Sequence, residues 1–259
     1  MGKLETSARR YAAELVDRFA PRGQCEYVAE FAAQLPGLIL FHHVVPVPVD
    51  DLPTLFQDID TYSFGPVDQR AGAFGRVHTY LEQFLEARGK EPARDDLVDV
   101  LLAGVERDGE PCAWEDKVHT ILDIVFGGLV TTTHAIAGAM YELATKPDVR
   151  QEILQHPACL ATAVEETVRL HAPVVAVGRT ACADVEVCGV EVKTGDRVAL
   201  NFAAASRDPE VCTNPQKFDV YRKEVVHTAF GAGPHRCIGE HLARLEIRVA
   251  IEEFLKQIP

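Results

Sequence analysis

The sequence has no Cys-x-x-Cys pair, no apolar leader stretch near its start, no internal repeat and no low-complexity linker. Its seven cysteines are odd in number and scattered, which argues against a disulfide framework or a structural zinc site and fits a reducing, cytoplasmic compartment. Positive charge is also in short supply. Lys and Arg total 26 against 39 Asp and Glu, and the net charge of −13 would repel nucleic-acid phosphates and anionic membrane surfaces. The longest apolar run, around residues 121–130, carries Asp123 and falls well short of a membrane span. Gly2 and Thr6 match the pattern for N-terminal myristoylation, but they lie on an amphipathic segment where the match reads as chance.

Most of the remaining sequence has helical period. Tyr11, Leu15, Val16 and Phe19 share one face of a first helix that stops before Pro21. Residues 31–43 form a second apolar run, broken by Pro46 and Pro48, and a helix restarts at Asp51-Leu52-Pro53. Further helices are expected over 80–87 and 95–103. A very long one is expected over 114–144, another from Pro157 to His171, and a last one beginning at Cys237 and burying Leu242, Leu245, Val249 and Phe254. Short alternating runs between Val185 and Leu200 predict a small antiparallel β meander. A loop rich in Asn, Asp, Pro and Gly follows over 207–234. The expected architecture is mainly α with this minor sheet, and residues 1–259 are read as a single partial domain.

The residues with the sharpest chemical signal are Phe230-Gly231-Ala232-Gly233-Pro234-His235-Arg236-Cys237-Ile238-Gly239. Gly231 and Gly233 let the backbone turn tightly and lie close to a flat ligand. A cysteine at a helix start meets unpaired N–H groups and the positive end of the dipole, which favour the thiolate. Gly239 leaves room beside it. Upstream, Glu166 and Arg169 lie three apart on one helical face, a spacing that alone describes any surface ion pair. Gly127 and Gly128 sit inside the long helix, where each costs about 1 kcal/mol relative to Ala. They either clear a groove or merely permit close helix packing.

Taken together and in this order, these segments resemble the cytochrome P450 superfamily of haem-thiolate monooxygenases, in its soluble bacterial form. The resemblance implies that Cys237 is the proximal ligand of haem b iron, with Phe230, Gly231, Gly233 and Gly239 shaping the ligand loop. It makes His235 and Arg179 partners of the haem propionates, with Arg169 considered for the same task. Glu166, Arg169 and Arg222 become the ion-pair cluster that pins the loop. Gly127 and Gly128 would open the oxygen groove, and Thr131 would be the threonine that assists O–O cleavage. Relatives commonly carry an acid immediately before that threonine, whereas this chain has Val130. Asp123, two turns away, is a poor substitute.

The activity implied is hydroxylation of a small hydrophobic molecule with O₂ and electrons from a ferredoxin-type or other donor. The small apolar segment Pro173-Val174-Val175-Ala176-Val177 corresponds to the region where relatives line the substrate pocket, although it also reads as a plain buried strand. Arg236, Arg244 and Arg248 form a weak basic patch for an acidic electron donor, diluted by Glu240 and Glu246. No nucleic-acid or membrane partner is expected.

The resemblance begins at the family's fourth helix and ends one helix after the cysteine. The earlier helices and first sheet, and the final strands, have no counterpart. Two readings therefore stand beside the active enzyme. One is a truncated, catalytically impaired haem-binding fragment with weak haem retention unless a complementing chain supplies a missing segment. The other is a helical interaction module with an inert Cys loop.

Overall fold

Amphipathic period decides most elements. In the computed structural model, which describes residues 2–104, 106–107 and 110–259, the chain divides into two units, Met1–Thr133 and His134–Pro259.

In the first unit, α1 (Gly2–Phe19) buries Ala8, Tyr11, Ala12, Leu15, Val16 and Phe19 along one stripe. A single turn at Ala20–Arg22 and Gly23, in the left-handed region at φ 66°, ends it. The apolar run that follows forms α2 (Gln34–Ile39) flanked by two wide turns, Val28–Ala32 and Leu40–Val44. Next come α3 (Leu52–Phe64), α4 (Val67–Arg88) and α5 (Leu97–Gly104), of which α4 begins well before the expected helix at residue 80. Strands β1 (Glu106–Arg107) and β2 (Glu110–Pro111) pair antiparallel.

The long helix α6 (Trp114–Thr145) closes this unit's core, with Val118, Ile121, Leu122, Val125 and Leu129 packed among Leu55, Val77, Leu81 and Leu85. By length and composition α6 is apolar enough to cross a membrane, but half of its most apolar stretch is buried in this way.

The second unit contains α7 (Pro147–Gln155), α8 (Leu160–His171), β3 (Ala176–Thr180), β4 (Val185–Val187), β5 (Val190–Val192), β6 (Arg197–Asn201), α9 (Phe202–Ala205) and α10 (Glu240–Gln257). Helix α8 packs against α10. The strands are nested rather than consecutive. Strands β4 and β5 form a hairpin through Cys188 and Gly189, both at positive φ (50° and 78°), as a two-residue turn of the twist-matched kind requires. Strand β3 pairs outside it with β6, from Ala176↔Asn201 to Thr180↔Arg197. The mainly helical class with small antiparallel sheets is as expected; the meander is replaced by this nesting.

Two local expectations are corrected. The segment ending in β3 is not a buried strand, since Val175 is 60% exposed. The last helix starts at Glu240 rather than Cys237, because Gly239 occupies the capping position. With that start, α10 buries Leu245, Ile247, Val249, Ile251 and Leu255, and leaves Leu242 and Phe254 half-buried.

Candidate functional site

The Cys237 loop is set up by short backbone bonds. The Gly231 N–H donates to Thr228 O (2.8 Å), Arg236 N–H to Gly233 O (3.0 Å), and Cys237 N–H to Phe230 O (2.8 Å). Gly231 and Gly233 both adopt positive φ, 68° and 66°, so their absence of a side chain is used. Cys237 is exposed and in no disulfide, and it precedes α10 by three residues. A Cβ added at Gly239 would stand 3.9 Å from the Cys237 Sγ. His235 and Arg179 are also exposed. Arg179 donates to the Gly178 carbonyl (2.8 Å), and neither residue faces a carboxylate among the described residues.

Glu166, Arg169 and Arg222 come together. Arg169 Nε and Nη2 donate to the two Glu166 oxygens (2.5 and 3.0 Å). The remaining Arg169 donors reach the carbonyls of Ser206 (3.2 Å), Pro215 (2.7 Å) and Lys217 (3.0 Å). All five guanidinium N–H groups are thus occupied in a fully buried side chain, so Arg169 has none left for a propionate. Arg222 Nε joins Glu166 at 2.9 Å, and the Asp219 N–H donates to the same carboxylate at 2.8 Å. The cluster holds the chain over residues 206–222 against α8.

A second ionic group was missed in the sequence. Arg244 on α10 donates through Nε and Nη2 to Glu165 on α8 (2.5 and 3.1 Å) and through Nη1 to Glu240 (2.8 Å). Its guanidinium carbon lies 4.5 Å from the centre of the Phe230 ring. Arg236 forks onto both Glu240 oxygens, at 2.7 Å each. His227 Nε2 lies 3.0 Å from Glu165, and its Nδ1 accepts from the Ala229 N–H (3.3 Å), which places the ring proton on Nε2. Burial raises the Glu165 pKa, but hydrogen bonds from His227 and Arg244 and the charge of Arg244 outweigh it and hold the carboxyl at about 2. Hydrogen bonds from Arg236 and Arg244 hold Glu240 at about 2 as well. Arg236, Arg244 and Arg248 all face carboxylates of their own chain, so the expected basic patch is internally neutralised. Residue spacing offered no signal for a pairing between positions 165 and 244.

In the first unit, α6 runs unbroken through Gly127, Gly128 and Thr131. A Cβ at Gly128 would touch Leu40 at 3.4 Å, whereas one at Gly127 would meet nothing within 4 Å. Packing among the described residues therefore does not require Gly127. The Thr131 hydroxyl donates to the Gly127 carbonyl at 2.6 Å, and Val130 is half-buried one residue before it.

The family model for cytochrome P450 matches residues 43–157 and 154–257. The chain belongs to the cytochrome P450 family. It is 30% identical to the biotin biosynthesis cytochrome P450 of Bacillus subtilis, over 95% of this chain and 63% of the relative. To the steroid C26-monooxygenase of Mycobacterium tuberculosis it is 33% identical, over 98% of this chain and 70% of the relative. Among solved structures, the Bacillus subtilis bacillaene polyketide synthase cytochrome P450 PksS superposes with a TM-score of 0.91 at 27% identity, covering 100% of this chain and 67% of that one. The chain thus spans roughly two thirds of the length of these P450 relatives.

The P450 family implies a haem, and the residues present fit one. An accessible thiol stands on a glycine-turned loop, and two exposed cationic or ionisable groups, Arg179 and His235, lack acidic partners among the described residues.

Proposed function

We propose that this chain is the haem domain portion of a monooxygenase that hydroxylates a small hydrophobic molecule. The observation that carries the reading is the Cys237 loop: an exposed thiol on a bend shaped by two positive-φ glycines, following a segment locked by the buried Glu166–Arg169–Arg222 cluster. Residues 1–259 are taken as one domain, because the family match crosses the boundary at Thr133.

Cys237 would ligate the iron of haem b, with Phe230, Gly231, Gly233 and Gly239 shaping the seat and His235 and Arg179 holding the propionates. The haem supplies O₂ activation, favoured by electron donation from a thiolate ligand. Gly127 and Gly128 keep one stretch of α6 free of side chains. Thr131 positions a hydroxyl whose proton rests on the Gly127 carbonyl, so that hydrogen bond must be given up, by rotation about the Cβ–Oγ1 bond, before it donates elsewhere. With Val130 in place of an acid, an acidic proton relay does not run through that position, and water or another carboxylate would have to supply the proton.

Electrons would come from a ferredoxin-type donor, and seven free thiols fit a cytoplasmic setting. A second reading, a haem-binding fragment without turnover that needs a complementing chain, is favoured by the exposed strand side chains Val185, Val187, Val190 and Leu200.

The test is reconstitution with haem, reduction and exposure to carbon monoxide, beside Cys237→Ser. A long-wavelength thiolate Soret band lost in the variant supports ligation; its absence in the wild type refutes it. Turnover with a surrogate reductase then separates enzyme from fragment.

A further inference from the structure

The Glu166 cluster holds residues 206–222, but it does not touch the ten residues around Cys237. Those residues are reached from the other side. Arg244 is the junction. It binds Glu165, the residue next to Glu166 on α8, with two donors, and it covers the face of Phe230, whose carbonyl accepts the Cys237 N–H. Through Glu240 it also reaches Arg236, the residue immediately before Cys237. Both ends of the ligand loop are therefore tied to one guanidinium.

We propose that Arg244, held by Glu165 and Glu240, is a positioning residue for the Cys237 loop, forming a second ionic brace independent of the Glu166–Arg169–Arg222 cluster. The proposal rests on the reading of Cys237 as the iron ligand. A planar guanidinium is needed because one group must serve two carboxylates and an aromatic face at once; an ammonium offers no such fork. The brace is preformed, so the loop does not have to be ordered at the moment a cofactor binds. That lowers the entropic cost of holding the sulfur in place.

Two measurements on the full chain test this, with Arg244→Gln and Glu165→Gln as variants and Lys256→Gln as a control that removes a charge from the far end of α10. Hydrogen exchange of the cofactor-free protein reads the loop directly, through the Gly231 and Cys237 amides. Each brace variant should exchange these about tenfold faster, with α10 interior amides unchanged, and the double variant should add little to either single one. Haem titration should show about tenfold weaker retention and loss of the thiolate band on reduction with carbon monoxide, which the control should not share. If the wild type shows a Cys237-dependent thiolate band and the variants keep both that band and loop protection, the brace is refuted while the functional reading stands. If the variants only lower the melting temperature, with loop exchange unchanged below it, Arg244 is a plain inter-helix tie and the proposal fails. If the wild type shows no such band, the functional reading fails, and positioning for a ligand fails with it.

Discussion

Arg169 and Glu166 meet through two hydrogen bonds, Nε to Oε1 at 2.5 Å and Nη2 to Oε2 at 3.0 Å, with both side chains at 0% exposure. An ion pair this deep is a poor source of net stability when compared with an apolar replacement, yet breaking it leaves an uncompensated charge. Here the penalty is compounded, because Arg222 shares the same carboxylate. Glu166→Gln is therefore expected to destabilise the second unit by about 3–5 kcal/mol. The contrast is Tyr221→Phe, which removes an exposed phenol bonded to Glu152 at 2.5 Å and should change stability by less than about 0.5 kcal/mol. Urea unfolding followed by circular dichroism measures both, and equal losses would contradict the ranking.

The brace carboxylates set the acid limb of stability. Glu165 and Glu240 are depressed from 4.5 to about 2 in the folded chain. Groups with depressed folded pKa values contribute fully above their unfolded pKa, and that contribution disappears as pH falls through the folded one. The melting temperature should consequently fall between roughly pH 4.5 and pH 2, and Glu165→Gln should flatten part of that slope. A slope unchanged in Glu165→Gln would show that other carboxylates control this window.

Glu246 gives the opposite sign. It lies on α10 at 3% exposure with an Oε2 that has no hydrogen-bond partner among the described residues, and burial pushes its carboxyl up to about 8. The unfolded chain releases this proton near 4.5, the folded chain near 8, so the folded state binds more protons throughout that interval. Stability should then decline as pH rises from roughly 4.5 to 8 and level off beyond. Glu246→Gln removes the proton linkage. It is expected to raise the melting temperature at pH 8 and leave it nearly unchanged at pH 4, as differential scanning calorimetry would show.

What could be read from the sequence was what lies close along the chain. Helix α6 and the run from Pro157 to His171 were visible because periodic apolar residues and proline stops are local signals. The Glu166 and Arg169 pairing was visible for the same reason, and Arg222 followed only through the family pattern. The Arg244–Glu165 contact depends on how α8 and α10 pack, which no spacing rule encodes. The start of α10 was misplaced by three residues because glycine and cysteine give weak capping signals, and the backbone bonds of the loop around Phe230 and Cys237 settle the matter. The nesting of β3 with β6 was hidden because alternation identifies strands without naming their partners.

Two glycines in α6 should respond oppositely to alanine, and the reason is purely steric. A Cβ at Gly138 would lie 2.6 Å from the His171 Cγ and 3.0 Å from its Cβ, so the two helices approach closely only because that position is bare. His171 has little freedom to move away, since its Nε2 is 3.0 Å from the buried Glu142 carboxylate and its ring meets Tyr141 edge-on. Gly138→Ala should destabilise by about 1–3 kcal/mol through overpacking. Gly127 has open space instead, and there helix propensity acts alone, so Gly127→Ala should stabilise the cofactor-free chain by up to about 1 kcal/mol. The same alanine would place a methyl group on the stretch of α6 proposed to stay clear for oxygen, so stability should rise while the carbon monoxide affinity of reconstituted protein falls. A gain in stability with unchanged carbon monoxide affinity would show that Gly127 serves only the helix.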